Sequence, residues 1–117
     1  MPGHEVTIER TGQHVRVEIG GKVVAETDDP IVLHETNLPD RFYIPPADVR
    51  FEEFEATDLH TSCPYKGTAS YWSHSDEGVR PNVAWAYPDP LPSVAGIKDH
   101  VSFYDDGVET FVEESRG

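Results

Sequence analysis

His14-Val15-Arg16-Val17-Glu18-Ile19, followed by Gly20-Gly21 and then Lys22-Val23-Val24-Ala25-Glu26, reads as two strands around a tight reversal. Apolar and polar residues alternate through its first half, the period of a strand with one face buried. The glycine pair supplies the positive φ of a two-residue reversal, after which the chain returns as a second strand. A hairpin is predicted. Outward from it, glycine (9) and proline (10) recur at short intervals through the 117 residues. No long window places apolar groups at i, i+3, i+4 and i+7, so long helices are not expected. A second hairpin is read at Val101-Ser102-Phe103-Tyr104, Asp105-Asp106-Gly107 and Val108-Glu109-Thr110-Phe111-Val112, where the Asp-Gly step marks the reversal. Further strands are expected at 31–36, 41–44, 49–55, 68–73 and 82–87, and single helical turns at Pro46-Ala47-Asp48-Val49 and Pro92-Ser93-Val94-Ala95. The fold class is therefore all-β: one compact domain over 1–117, core about 14–112, built as a sandwich or partly closed barrel. The acidic end, Glu113-Glu114-Ser115-Arg116-Gly117, reads as a frayed tail.

The charge excludes some partners. With 22 acidic and 9 basic side chains the formal net charge is −13, and the few cations are scattered among carboxylates, so nucleic acid is not an expected partner. No run of apolar residues is long enough for a membrane span, and Met1-Pro2-Gly3-His4-Glu5 lacks the pattern of a secretory signal. A cytoplasmic protein with a small-molecule partner is expected. The single cysteine, Cys63, can form no internal disulfide and cannot supply the paired thiolates of a structural zinc site. Glu35, His60 and Cys63 match no closed zinc spacing, so neither metal nor cofactor is expected.

Polar residues that break the pattern mark candidate chemistry. In Ile31-Val32-Leu33-His34-Glu35, alternation puts Glu35 on the face of Ile31 and Leu33, normally the core face, while His34 points to the surface. A carboxyl buried alone has a raised pKa and serves as a general acid or base; beside Arg or Lys it stays ionised as a structural pair. Both alternatives are open. The densest segment is Leu59-His60-Thr61-Ser62-Cys63-Pro64-Tyr65-Lys66-Gly67-Thr68-Ala69-Ser70-Tyr71-Trp72-Ser73. Pro64 suits position i+1 of a β-turn, which brings the α-carbons of Cys63 and Lys66 within about 7 Å. Gly67 next fits a position closed to a β-carbon. In an enzyme, Cys63 is a nucleophile or redox thiol, His60 or Glu35 moves protons, and Lys66 or Arg50 binds a negative group. Against this stands the common fate of a lone cysteine as a small buried apolar residue.

Val83, Trp85 and Tyr87 alternate onto one face and lead into Pro88-Asp89-Pro90-Leu91-Pro92, a rigid wall for a flat ligand or else the closing edge of a core. The candidate pocket then has a catalytic wall of Glu35, His60, Cys63 and Lys66 and a ligand-binding wall of Tyr43, Tyr65, Trp72, Trp85 and Tyr87. Arg50 either pairs with Glu35 or holds an anion. The rival from another class is a non-catalytic binding or interaction module in which these residues are structural.

Thr61-Ser62-Cys63-Pro64-Tyr65-Lys66-Gly67-Thr68-Ala69-Ser70-Tyr71-Trp72 carries a family resemblance, supported by Ala84-Trp85-Ala86-Tyr87-Pro88-Asp89-Pro90-Leu91-Pro92, Phe42-Tyr43-Ile44-Pro45 and Asp48-Val49-Arg50. With these motifs the chain resembles the DUF427 family over about residues 14–112. Family members often carry Tyr-Tyr where this chain has Phe42-Tyr43. The resemblance implies a compact all-β domain akin to the β-tent architecture without its zinc cysteines. The family is sometimes labelled nucleotidyltransferase-like, but the chain has neither Gly-Ser followed by an Asp-x-Asp pair nor a glycine-rich phosphate loop. Gly20-Gly21 belongs to its hairpin, and Asp105-Asp106 lies in a turn without a third ligand for magnesium.

Overall fold

The computed structural model describes residues 3–114. Ten strands follow in chain order: β1 (Val6–Arg10), β2 (His14–Ile19), β3 (Lys22–Thr27), β4 (Ile31–Glu35), β5 (Arg41–Tyr43), β6 (Phe54–Cys63), β7 (Gly67–His74), β8 (Ala84–Ala86), β9 (Val101–Phe103) and β10 (Glu109–Glu113). They form three antiparallel sheets, ordered β1-β4-β5, β10-β2-β3 and β6-β7-β8-β9, and none closes into a barrel. The predicted hairpin is β2–β3, with Gly20 at φ 58 and Gly21 at φ 79. Ile44 and Val101 exchange backbone hydrogen bonds of 2.8 and 2.9 Å, which ties the end of β5 to β9.

Strand β8 organises the interior because both its faces are covered. Ala84 and Ala86 pack into a cluster with Val15, Val17 and Ile19 of β2, while Trp85 and the following Tyr87 pack the other way against Ile31, Leu33 and Tyr43 of the β4–β5 pair. Small residues on one face and large rings on the other let two cores of different depth share one strand. The end of β5 obeys the same rule: Tyr43 joins the ring cluster and Ile44, the residue after it, the aliphatic one.

Several sequence expectations are corrected. The strands around Asp105-Asp106-Gly107 do not pair with each other: β9 pairs with β8 and β10 with β2, so this turn carries the chain from one sheet to another. A local Asp-Gly reversal looks the same in sequence whether its arms join or separate. Segment 49–55 is not a strand. Single 3₁₀ turns occupy Pro46–Asp48 and Phe51–Glu53 while Val49 bridges to Ala25, and β6 begins only at Phe54. A further 3₁₀ stretch, Pro92–Ile97, covers the expected turn at 92–95. Val83 leaves the face of Trp85 and joins the aliphatic cluster, because β8 begins after it. Strand β1 extends the ordered fold N-terminal to the expected core, and Glu113 is part of β10; Ser115, Arg116 and Gly117 of the expected tail lie outside the described residues.

Candidate functional site

A cavity of about 200 Å³ opens between the β4–β5 edge and the ring-bearing face of β7–β8. Its floor is aromatic. Tyr43 and Trp85 meet edge to face at 6.4 Å, and the Trp85 indole N–H donates to the Tyr43 hydroxyl at 3.1 Å. Tyr71 shares a 2.8 Å hydrogen bond with Thr61, and Tyr104 leans on Trp85 with centroids 4.5 Å apart. The rim is formed by Leu38 and Pro39, in the turn between β4 and β5.

Two charged strand ends and one turn complete the lining. Glu35 closes β4, Arg41 opens β5, and Lys66 is held by the turn between β6 and β7. In that turn the Lys66 N–H donates to the Cys63 carbonyl at 3.2 Å, the reversal that Pro64 predicts. Gly67 follows at φ 121, where a β-carbon would meet the Asp89 carbonyl at 3.1 Å, so the turn seats directly on the proline-rich segment. Leu91 fastens it by donating to the Lys66 carbonyl at 3.0 Å.

Lys66 Nζ lies 2.8 Å from Glu35 Oε1, and His4 Nε2 lies 3.1 Å from Oε2. The Glu35 and Lys66 side chains are only 8% and 15% exposed, so this is an ion pair largely out of water. Burial alone would push the Glu35 carboxyl up, but the hydrogen bond and charge of Lys66, with His4 behind, hold it below its ordinary value. Of the two alternatives open from sequence, the geometry is the ionised pair, and its cation is Lys66. Burial pushes the Tyr43 phenol up to about 12 and raises Tyr87 further still, with the Glu35 charge adding to both. Tyr104 is raised by burial and by its neighbour Tyr71.

The structure brings Glu35, Lys66, Tyr43, Trp85 and Tyr87 to one cavity and places the other candidates elsewhere. His60 is exposed on β6, its Nδ1 3.4 Å from Ser70 Oγ. Cys63 is half-buried and packs against the ring cluster with Val6 and Ile8. Both belong to one long strand, which fixes their side chains by strand register. Arg50 does not reach Glu35: its guanidinium donates to the Val23 carbonyl at 3.0 Å. Tyr65 sits within the turn but outside the cavity lining, and its ring stacks on His4 at 4.1 Å. Trp72 faces away from Tyr71 and packs against the aliphatic cluster and Phe51.

Sequence reasoning did not select Arg41, Tyr71 or Tyr104 for the cavity. Alternation along β7 carried the signal for one of them: Ala69 and Tyr71 share the inward face, which leaves Trp72 for the other side. A wider hollow of about 600 Å³ lies beside His14, Glu26, Asp28 and Arg50. It is open and edged by water-exposed carboxylates; the Asp28 side chain is 87% exposed. The smaller cavity is the better candidate because the ion pair that lines it is largely out of water.

Fold and cavity together define a small all-β domain with an aromatic pocket closed at one end by a buried ion pair. The chain belongs to the family described as a domain of unknown function, DUF427, whose model matches residues 7–114. No curated protein matches it. Among the described residues no group of three or more His, Cys, Asp or Glu side chains is arranged to hold a metal ion, and no helix is long and apolar enough to cross a membrane.

Proposed function

We propose that this protein is a small-molecule-binding protein whose ligand enters the cavity between Glu35–Lys66 and the Tyr43–Trp85 pair. The supporting observation is the coincidence of a concave aromatic surface with buried charged and hydroxyl groups, the usual composition of a ligand site. A volume of about 200 Å³ lies below the roughly 300–1,000 Å³ of sites for drug-sized molecules, so the ligand is small. A nucleoside triphosphate is too large for it.

Binding is favoured over nucleophilic catalysis. Cys63 and His60 are on β6 outside the lining, and the carboxylate that does line the cavity is held ionised by Lys66, which makes it a weak base at neutral pH. The two tryptophans give an internal control. A fragment panel titrated while both indole N–H resonances are followed should move Trp85 and leave Trp72, on the opposite face of β7–β8, in place. If no fragment moves Trp85 selectively, the proposal fails.

A further inference from the structure

The cavity holds more open hydrogen-bond donors than acceptors, and that imbalance bears on what the ligand is. Tyr43 accepts from the Trp85 indole, which leaves its own hydroxyl proton to donate. Tyr87 is 6% exposed, and among the described residues its hydroxyl has no hydrogen-bond partner. Lys66 gives one proton to Glu35 and has two more. Arg41 makes no hydrogen bond among the described residues. Its nearest carboxylate, Asp105, is 3.9 Å away with a side chain 85% exposed, and its guanidinium lies 5.5 Å from the Trp85 ring centroid. The lone carboxylate of the lining is already engaged, Oε1 by Lys66 and Oε2 by His4. Formal charge in the lining is two cations against one anion.

From this balance we infer that the cavity takes a small planar carboxylate, its acid group toward Arg41 and Lys66 and its flat body against Trp85. This rests on the small-molecule reading above and deepens it by naming the chemical class. A carboxylate supplies four acceptor lone pairs in one plane, matches the fork of a guanidinium, and leaves the one net positive charge of the lining neutralised. A cationic ligand would face Arg41 and Lys66 with only phenol oxygens free to accept from it. A neutral amide would satisfy fewer donors and leave the charge uncompensated.

The test uses benzoate, benzamide and benzylamine as matched probes, with inorganic phosphate as a competitor, on the full chain at low salt and with the Trp85 indole as reporter. Benzoate should bind at least about tenfold more tightly than benzamide or benzylamine, and its affinity should fall as salt is raised. Arg41→Met should weaken benzoate about tenfold or more, Arg41→Lys less, and Tyr87→Phe by about tenfold, with benzamide affinity changing much less on Arg41→Met. Thermal melts establish that each variant is folded, and Arg41→Lys keeps the test interpretable if Arg41→Met is not. Benzamide or benzylamine binding as well as benzoate at Trp85 overturns the carboxylate assignment while leaving the cavity a binding site. Displacement of benzoate by phosphate at equal concentration overturns it in favour of a tetrahedral anion. Silence of all probes overturns it as well, and the small-molecule reading falls with it only when the wider fragment panel is silent too.

Discussion

Lys66 and Glu35 meet from segments 31 residues apart, each with little access to water. Such a pair is costly to break from one side, because the survivor keeps its charge without its partner. Lys66→Met should therefore destabilise the fold by about 3 kcal/mol in urea denaturation, and adding Glu35→Gln should recover part of that loss. The pH response distinguishes the pair from simple packing. The folded Glu35 carboxyl is below its ordinary value of 4.5, so its contribution is present above that value and lost as pH falls through the folded one. In Lys66→Met the burial penalty dominates, and stability should instead rise as pH falls from about 7 to about 5. Glu35 was legible because a carboxylate interrupts an apolar alternation, and Lys66 because a lysine in a Pro-Gly turn has no packing role. For Cys63 the sequence left a reactive thiol and a small packing residue side by side, because chemical reactivity carries no address. Sequence proximity to Lys66 does not decide which way a strand residue faces, and here the thiol fills space beside Val6 and Ile8. Cys63→Ala should accordingly cost about 1 kcal/mol and change benzoate affinity less than about twofold, measured by urea melts and indole titration.

Among the elements, β8 and the turn before β10 hold the sheets in register around the cavity. The alternation of Ala84, Trp85, Ala86 and Tyr87 was visible as a pattern of size, and the hairpin β2–β3 as a pattern of polarity, because both are local. Sheet membership is not local. Whether β9 continues into β10 or leaves it depends on competition from β8 and β2 for the same edges, which no short window contains. The turn between them shows what holds the separation. Gly107 has φ 84, and a β-carbon there would collide with the carbonyl of Gly78, which lies in a turn between β7 and β8, so the two turns are in direct backbone contact. Gly21 offers a comparison at nearly the same φ, 79, with open space around it. Gly21→Ala should cost only the left-handed strain, about 1 kcal/mol, whereas Gly107→Ala must also push two turns apart and should cost about 3 kcal/mol or more. Equal losses in denaturant titrations of the two variants would mean that the contact with Gly78 contributes nothing to stability.

Across the whole molecule the net charge of −13 leaves many carboxylates near one another, and two histidines are placed as bridges between them. His14 lies 2.6 Å from Asp28 and 2.7 Å from Glu26; His34 lies 2.7 Å from Glu9 and 2.8 Å from Asp40. Hydrogen bonds to those carboxylates raise both imidazoles above the ordinary 6.5, His14 chiefly through Asp28 and His34 chiefly through Glu9. A raised folded value means that the bound proton stabilises the fold fully below 6.5 and that this contribution disappears as pH climbs through the folded value. Glu35 acts in the opposite sense and needs pH above 4.5. Stability should therefore be greatest between these two limits and decline on the alkaline side, more steeply in low salt, because the bridges are solvent-accessible and screened. The double variant His14→Gln/His34→Gln replaces both bridges with neutral side chains. Its melting temperature should lie below that of the wild type near pH 6, approach it near pH 8, and vary less between the two. A double variant that keeps the wild-type slope would assign the alkaline decline to general repulsion among the carboxylates, since that repulsion survives the substitution and the two bridges do not.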